Sequence, residues 1–251
     1  MRNLLILAAL IFLLGCDKTS SSDSAAYAAP NGQGGSLARF TVVGNYLYTV
    51  DKQTLKVFDI TNPGQPSLTR SVDAGFEIET IFPFKDKLFL GSASMVYIFS
   101  IDDPSNPQKL SEAISPTVMR RCDPVVAKDD VAYATLRTNG PCGGTTSMLA
   151  VYDISDIKHP VQKSSVSVGE PYGLGYSGNT LYVCDRFYGF SIYDITKPYQ
   201  PVLIKNVNLS SHPYFIDVIP YNDILVCWTS TGMVLYDIST PQNPIFIKQI
   251  N

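Results

Sequence analysis

The residues able to do chemistry in this 251-residue chain are few: five cysteines, two histidines and a scatter of carboxylates. His159 and His212 are far apart, and the chain holds neither a C-x-x-C pair nor an H-E-x-x-H helix motif. That spacing argues against a structural or catalytic zinc. There is no G-x-S-x-G elbow for a nucleophilic serine. Gly32 to Gly35 is not a dinucleotide fingerprint, because Leu37 stands where the third glycine belongs and no strand precedes it. No cofactor is expected. The carboxylates Glu77, Glu79, Asp123, Glu170 and Asp217 could act as general acids and bases if they converged. Asp123, Glu170 and Asp217 would then suit glycoside hydrolysis; a metal-dependent lactonase would use Glu77 or Glu79, Glu170 and Asp217 with an asparagine, and no asparagine is placed on an inner strand. Everything turns on the elements that position them.

Composition bounds those elements. Nineteen Lys and Arg stand against 22 Asp and Glu, and only 16% of residues are charged. Without a basic face, an electrostatic nucleic-acid binder is excluded. With 17 Gly, 17 Pro, 15 Tyr and 12 Phe, the chain reads as short strands joined by turns.

The N-terminus reads as a targeting segment. Arg2 precedes an apolar run of 11 residues from Leu4 to Leu14, too short to span a bilayer but suited to a signal peptide. Leu13-Leu14-Gly15-Cys16 resembles the lipobox of bacterial lipoproteins. That resemblance implies cleavage after residue 15, acylation of Cys16 and a palmitate-type anchor in the membrane. Loss of Arg2 would take the net charge from −3 to −4. Residues 16–35, rich in Ser, Ala and Gly, read as the lipidated cysteine and a flexible tether.

From Ser36 the chain repeats itself five times. The boxes are Lys56-Val57-Phe58-Asp59-Ile60-Thr61, Tyr97-Ile98-Phe99-Ser100-Ile101, Ala150-Val151-Tyr152-Asp153-Ile154, Ser191-Ile192-Tyr193-Asp194-Ile195 and Val234-Leu235-Tyr236-Asp237-Ile238, each running on to prolines except for a single Pro160 in the third. Asp59, Ser100, Asp153, Asp194 and Asp237 are spaced by 41, 53, 41 and 43 residues, so the third copy carries about 11 extra. A second apolar run precedes each box, behind turn residues such as Gly44-Asn45 and Gly178-Asn179. A period near 42 with four strands (a to d) per unit predicts an all-β, five-bladed β-propeller over residues 36–251, with four antiparallel strands per blade and one enlarged loop in blade three. Box and period together resemble the LVIVD-repeat, YVTN-like propellers of the bacterial envelope. The resemblance implies a fold and a location, and no catalytic residues.

The box Asp is expected to form a turn with the residue two positions on, ahead of a proline that cannot extend the ladder. The phase, starting on strand a and ending on strand d, leaves no strand for a swapped closure, so the ring should close by packing blade five on blade one. Connections d–a and b–c share one face. Cys122 begins strand a of blade three and Cys142 lies in its b–c insertion, so a disulfide between them is predicted. Cys184 and Cys227 each precede a box Asp by ten residues, and on that count are equivalent, unbridged and buried.

The same face gathers Arg120, Arg121, Asp123, Glu170, Tyr172, Asp185, His212 and Tyr214, a mixture suited to a protein or glycan partner. The sequence thus predicts a membrane-anchored lipoprotein of the cell envelope, outer-membrane, periplasmic or surface-exposed, acting as a binding or scaffolding module. The alternative is a carbohydrate-active or lactonase-like hydrolase using carboxylates of the central channel.

Overall fold

A computed structural model of the chain describes residues 34–114, 124–137, 147–186, 188–209 and 213–251. They form twenty strands in five four-stranded antiparallel sheets, with strand order matching chain order in each. Blade one holds β1 (Phe40–Val43), β2 (Tyr46–Val50), β3 (Thr54–Asp59) and β4 (Ser67–Asp73). Blade two holds β5 (Ile78–Phe84), β6 (Lys87–Ser92), β7 (Met95–Ser100) and β8 (Gln108–Ile114). Blade three holds β9 (Val125–Lys128), β10 (Val131–Leu136), β11 (Ser147–Asp153) and β12 (Val161–Val168). Blade four holds β13 (Pro171–Ser177), β14 (Thr180–Asp185), β15 (Gly189–Asp194) and β16 (Val202–Val207). Blade five holds β17 (Phe215–Tyr221), β18 (Ile224–Thr229), β19 (Gly232–Asp237) and β20 (Ile245–Ile250). The protein is a five-bladed all-β propeller.

Two local devices repeat. Each a–b hairpin turns on a residue of positive φ, namely Gly44, Lys85, Asp129, Gly178 and Asn222, all between 51° and 56°. This left-handed geometry matches the twist of the flanking strands. Each described box ends in the expected turn: the carboxylates of Asp59, Asp153, Asp194 and Asp237 accept from the backbone N–H two residues on, at 2.7–3.0 Å. Ser100 does the same with its hydroxyl, accepting from Asp102 N at 3.1 Å. The hydroxyls of Thr61, Ser155 and Thr196, together with these N–H groups, hold the carboxyls of Asp59, Asp153 and Asp194 below their usual range, that of Asp153 to about 2, and the N–H and hydroxyl of Ser239 do the same for Asp237.

Alternation along the strands gives every blade two apolar faces, and adjacent blades bury them against one another. Four clusters fill the seams one–two, two–three, three–four and four–five. In three of these a strand-b tyrosine reaches across to a carbonyl just past the next blade's box. Tyr48 donates to Pro104 O at 2.7 Å, Tyr133 to Pro198 O at 3.1 Å and Tyr182 to Pro241 O at 2.8 Å. Blade two has Phe89 there, and the corresponding carbonyl, of Ile157, accepts instead from Ser111 of β8.

The fifth seam departs from expectation. No apolar cluster among the described residues joins blade five to blade one. Leu47 and Phe58 on blade one, and Val226 and Leu235 on blade five, are only half-buried where their counterparts in the other seams are buried. The residues explain it. Val226 replaces the latching tyrosine, and Thr49 and Lys56 occupy positions filled by Leu90 and Tyr97 in blade two. Trp228 and Met233 on the facing side of blade five remain exposed.

Closure occurs at the hub instead. Ser36 Oγ donates to Asp217 Oδ1 at 3.0 Å and Leu37 N to Asp217 Oδ2 at 3.1 Å, while Leu174 N donates to Ser36 Oγ at 2.8 Å. Ala38 O accepts from Ile81 N of blade two at 2.8 Å. Residues 34–38 therefore strap blades two, four and five together across the axis. Gly35, expected in the tether, belongs to this hub: a Cβ there would lie 2.0 Å from Asp217 Oδ2. What remains of the channel is a cavity of about 90 Å³ lined by residues such as Phe82, Val126, Leu174 and Val218.

The cysteines also correct the count. Cys184 pairs with Phe190 and Cys227 with Val234, one register step apart, because the b–c turn of blade five is a residue shorter. They are not equivalent. Both point into the four–five seam from opposite sides, buried, free, and with burial pushing their thiols up. Cys16, Cys122 and Cys142 lie outside the described residues.

Tyr182→Phe removes a donor from a part-buried carbonyl and should lower unfolding stability by about 1 kcal/mol in urea titrations. Tyr236→Phe should be neutral or stabilising, because the buried Tyr236 hydroxyl meets no partner among the described residues. Burial raises the Asp217 carboxyl from 3.8 to about 6, against the pull of Ser36 and Leu37. The folded state thus holds this proton more tightly than the unfolded chain. Its stabilising contribution is complete below about pH 4 and lost as pH rises through 6, amounting to at most about 3 kcal/mol. Thermal melts from pH 4 to 7 should show that this component of the slope is missing in Asp217→Asn.

Candidate functional site

The d–a connections and b–c turns do share a face, and strand register explains what it displays. Counting from the strand-b residue that pairs with the box position (Tyr46, Val131, Thr180), the sixth residue on is Lys52 in blade one, Arg137 in blade three and Arg186 in blade four. Directly ahead of strand a stand Glu77 in blade two, Glu170 in blade four and Tyr214 in blade five. The repeat therefore sets a cation at this position in three blades, with Ala93 and Ser230 there in blades two and five, beside acidic or aromatic residues in blades two, four and five.

Across the three–four and four–five seams these cations meet an aromatic ring of the next blade. The Arg137 guanidinium lies 4.1 Å from the ring centroid of Tyr172 in the next blade. Arg186 lies 5.2 Å from that of Tyr214, and its Nη1 is 3.8 Å from Glu170 Oε2. Cation–π stacking of this kind contributes about 0.5–1 kcal/mol at exposed sites and fixes the plane of the guanidinium.

On the other side of Arg137 a cavity of about 460 Å³ opens at the mouth of the channel. Blade one supplies Arg39 and Lys52, blade two Glu77, Ile78, Glu79 and Ala93, and blade three Arg137. Glu77 is held at φ 51°, a strained conformation outside any hairpin turn. Its connection is tightly determined: Phe76 N donates to Tyr97 Oη at 2.9 Å and Ala93 N to Glu77 O at 3.2 Å. A Cβ on Gly75 would fall 2.3 Å from the Tyr97 ring, so only glycine fits. The strain is local, at the one place where the loop lines the cavity.

Of the eight residues read from sequence as a ligand face, Arg120, Arg121, Asp123 and His212 lie outside the described residues. Glu170, Tyr172 and Tyr214 are brought together through Arg186 and Arg137, as above. Asp185 is not part of the surface. It is buried, accepting from Glu170 N and Tyr188 N at 3.2 Å each, and Gly169 is small to admit it. It ties the d–a connection of blade four to that blade's own b–c turn. Trp228 does not join this face but points from β18 into the open fifth seam.

Of the carboxylates of the hydrolase alternative, Asp123 lies outside the described residues, and Glu170 and Asp217 do not share a level. Glu170 precedes strand a, whereas Asp217 is deeper along it, across from Trp228 in the ladder. Asp217 is 4% exposed and committed to the strap. Glu77 and Glu79 do line one cavity, with cations rather than a third carboxylate around them. Arg39, Lys52 and Arg137 were not picked out by sequence reasoning. Aligning the repeats on the strand-b start would have found the last two, since they share Arg186's position.

Residues 34–74 and 173–209, which are blades one and four, match the LVIVD repeat. No curated protein matches the chain. Among solved structures, a functionally unknown protein from Desulfotomaculum acetoxidans DSM 771 superposes with a TM-score of 0.67 at 10% identity, covering 84% of this chain and 68% of that one. The periplasmic gluconolactonase of Pseudomonas aeruginosa gives 0.60 at 11%, covering 82% and 67%. BamB from Moraxella catarrhalis gives 0.57 at 10%, covering 83% and 60%. The chain spans only about three fifths of the BamB chain. At these identities the likeness shows the propeller fold alone.

Proposed function

We propose that this five-bladed propeller of LVIVD repeats is a lipid-anchored module of a bacterial envelope, binding a protein or glycan partner through its loop face. The observation that carries the reading is the arc from Arg39 and Lys52 through Arg137–Tyr172 to Glu170–Arg186–Tyr214. Arginines stacked on aromatic rings, with carboxylates between them, are a mixture suited to a sugar chain or to the polar rim of a protein interface. Asp217 supports the same reading from the other direction, because a carboxylate already held by Ser36 and Leu37 is not available for hydrolysis. The anchor rests on Cys16 in its Leu-Leu-Gly-Cys context, behind one arginine and an apolar run.

The test is a mild crosslink on intact host cells, detergent extraction of the full chain and mass spectrometry of the lipid and of whatever accompanies it. We expect an acylated N-terminal cysteine and a stoichiometric envelope protein or a glycan. Arg137→Glu with Arg186→Glu should remove that partner at least about tenfold, as loss of central arginine contacts does, without lowering the melting temperature by more than a few degrees. Recovery of the same partner by the double variant would place binding elsewhere.

A further inference from the structure

The outermost strands of the five blades differ in kind. In blade four, Val202, Leu203 and Ile204 of β16 are 60%, 49% and 39% exposed; in blade five, Ile245, Phe246 and Ile247 of β20 are 60%, 49% and 47% exposed. Val202 and Leu203, like Ile245 and Phe246, point to opposite sides of their strands, so their exposure leaves neither side covered, and Ile204 and Ile247 are exposed at the β-bulge of each strand. Runs of this kind are a liability in water unless they serve contact. The fold does not demand them. The same strand reads Ser67-Leu68-Thr69-Arg70 in blade one, Gln108-Lys109-Leu110-Ser111 in blade two and Val161-Gln162-Lys163-Ser164 in blade three. Each of these exposes a single large apolar side chain: Leu68, Ile114 and Val161.

Charge divides the strands less sharply, since β12 of blade three also carries one lysine, Lys163, and no carboxylate. β16 and β20 carry one lysine each, Lys205 and Lys248, and no carboxylate, whereas β4 contains Asp73 and β8 Glu112. Lys205 Nζ donates to Asn243 Oδ1, just ahead of β20, at 2.6 Å, so the two apolar rims are neighbours. Aliphatic residues with flanking lysine are the pattern of a lipid interface. A protein hot spot would favour Trp, Tyr and Arg and avoid Lys. A flat surface can also rest on two adjacent rims at once, where an added β-strand could pair with only one.

We propose that the outer strands of blades four and five are a membrane-contact rim, seating Val202–Ile204 and Ile245–Ile247 at the headgroup boundary of an anionic bilayer. The inference rests on the lipid-anchored reading for its setting. Seventeen residues separate Cys16 from Gly34, a span of at most about 60 Å when fully extended. An anchored propeller is thus never far from the bilayer, and weak contact at the rim suffices to orient it.

The test uses the full acylated chain in vesicles of phosphatidylethanolamine and phosphatidylglycerol, with Trp228→Phe as background and one reporter tryptophan at a time. Quenching by bromine-labelled lipid should be about threefold or more stronger for Ile204→Trp and Ile247→Trp than for Leu68→Trp and Ile114→Trp, as expected for residues at acyl depth. Equal quenching at all four sites would overturn the rim. Shielding of the first two from aqueous iodide only when a protein partner co-purifies would assign the surface to that partner and also overturn it. Sedimentation of the Cys16→Ser chain with the same vesicles separates the two readings. Binding lost about tenfold in Ile204→Asp with Phe246→Asp supports the rim by the area of apolar contact removed, even if the native protein proves to carry no lipid.

Discussion

The packing of one blade face on the next is the interaction on which this molecule depends. No blade can bury its apolar residues alone, because a single twisted four-stranded sheet leaves one side or the other in water. Two blades brought together cover a seam, and the chain covers four. The latching tyrosines add a directional term to this non-directional burial: each hydroxyl on strand b finds a carbonyl only when the next blade is at the right rotation. The rest of the architecture, including the level at which loop residues meet, follows from that rotation. Where the latch is missing the consequence is visible. Val226 cannot reach blade one, Lys56 and Thr49 favour water over an apolar neighbour, and the fifth seam stays unsealed while a strap at the hub takes over.

That strap explains why a buried acid is tolerated at the axis. Asp217 accepts from Ser36 Oγ, from Leu37 N and from its neighbour Val218 N at 3.0 Å, so its oxygens are occupied although water is excluded. Glycines clear the space for it, since a Cβ on Gly173 would fall 1.9 Å from Asp217 Oδ1. A hydrophobic contact could close a hub, but it would not fix which residue of the incoming segment meets which blade. The carboxylate does both, at the expense of a proton affinity well above that of a surface aspartate.

What the sequence made legible is what repeats. Turn residues, box and period recur five times, and each recurrence constrains the others, so blade number, strand order and the role of the box Asp could be read without coordinates. The hub strap does not recur. Ser36 and Asp217 are 181 positions apart and neither belongs to a motif, so pairing them needed the ring to be closed in space. The cysteines failed for a subtler reason. Counting back from the box passes through the b–c turn, whose length varies by one residue between blades four and five, and one residue is enough to move a side chain to the other face. Counting forward from the start of strand b avoids the turn, and that count aligns Lys52, Arg137 and Arg186. Asp185 misled because the sequence places it at the b–c turn of blade four, whereas it is the last residue of β14 and is turned inward.

The two contact surfaces proposed for the chain divide it along the same line as its polarity. The cavity with Arg39, Lys52, Glu77, Glu79 and Arg137 belongs to blades one to three, whose outer strands are polar. The apolar rim belongs to blades four and five. Blades in a ring face outward in different directions, so a bilayer touching the rim of four and five lies along one edge of the disc. The channel axis then runs roughly parallel to the membrane, and the cavity projects from the half of the disc furthest from lipid. A soluble partner could reach that mouth without competing with headgroups. The stacked pairs Arg137–Tyr172 and Arg186–Tyr214 would lead from it back toward the membrane. An extended ligand bridging the two halves would meet cations at one end and aromatic rings at the other, which is the order in which a charged terminus and an apolar or sugar-faced segment would be read.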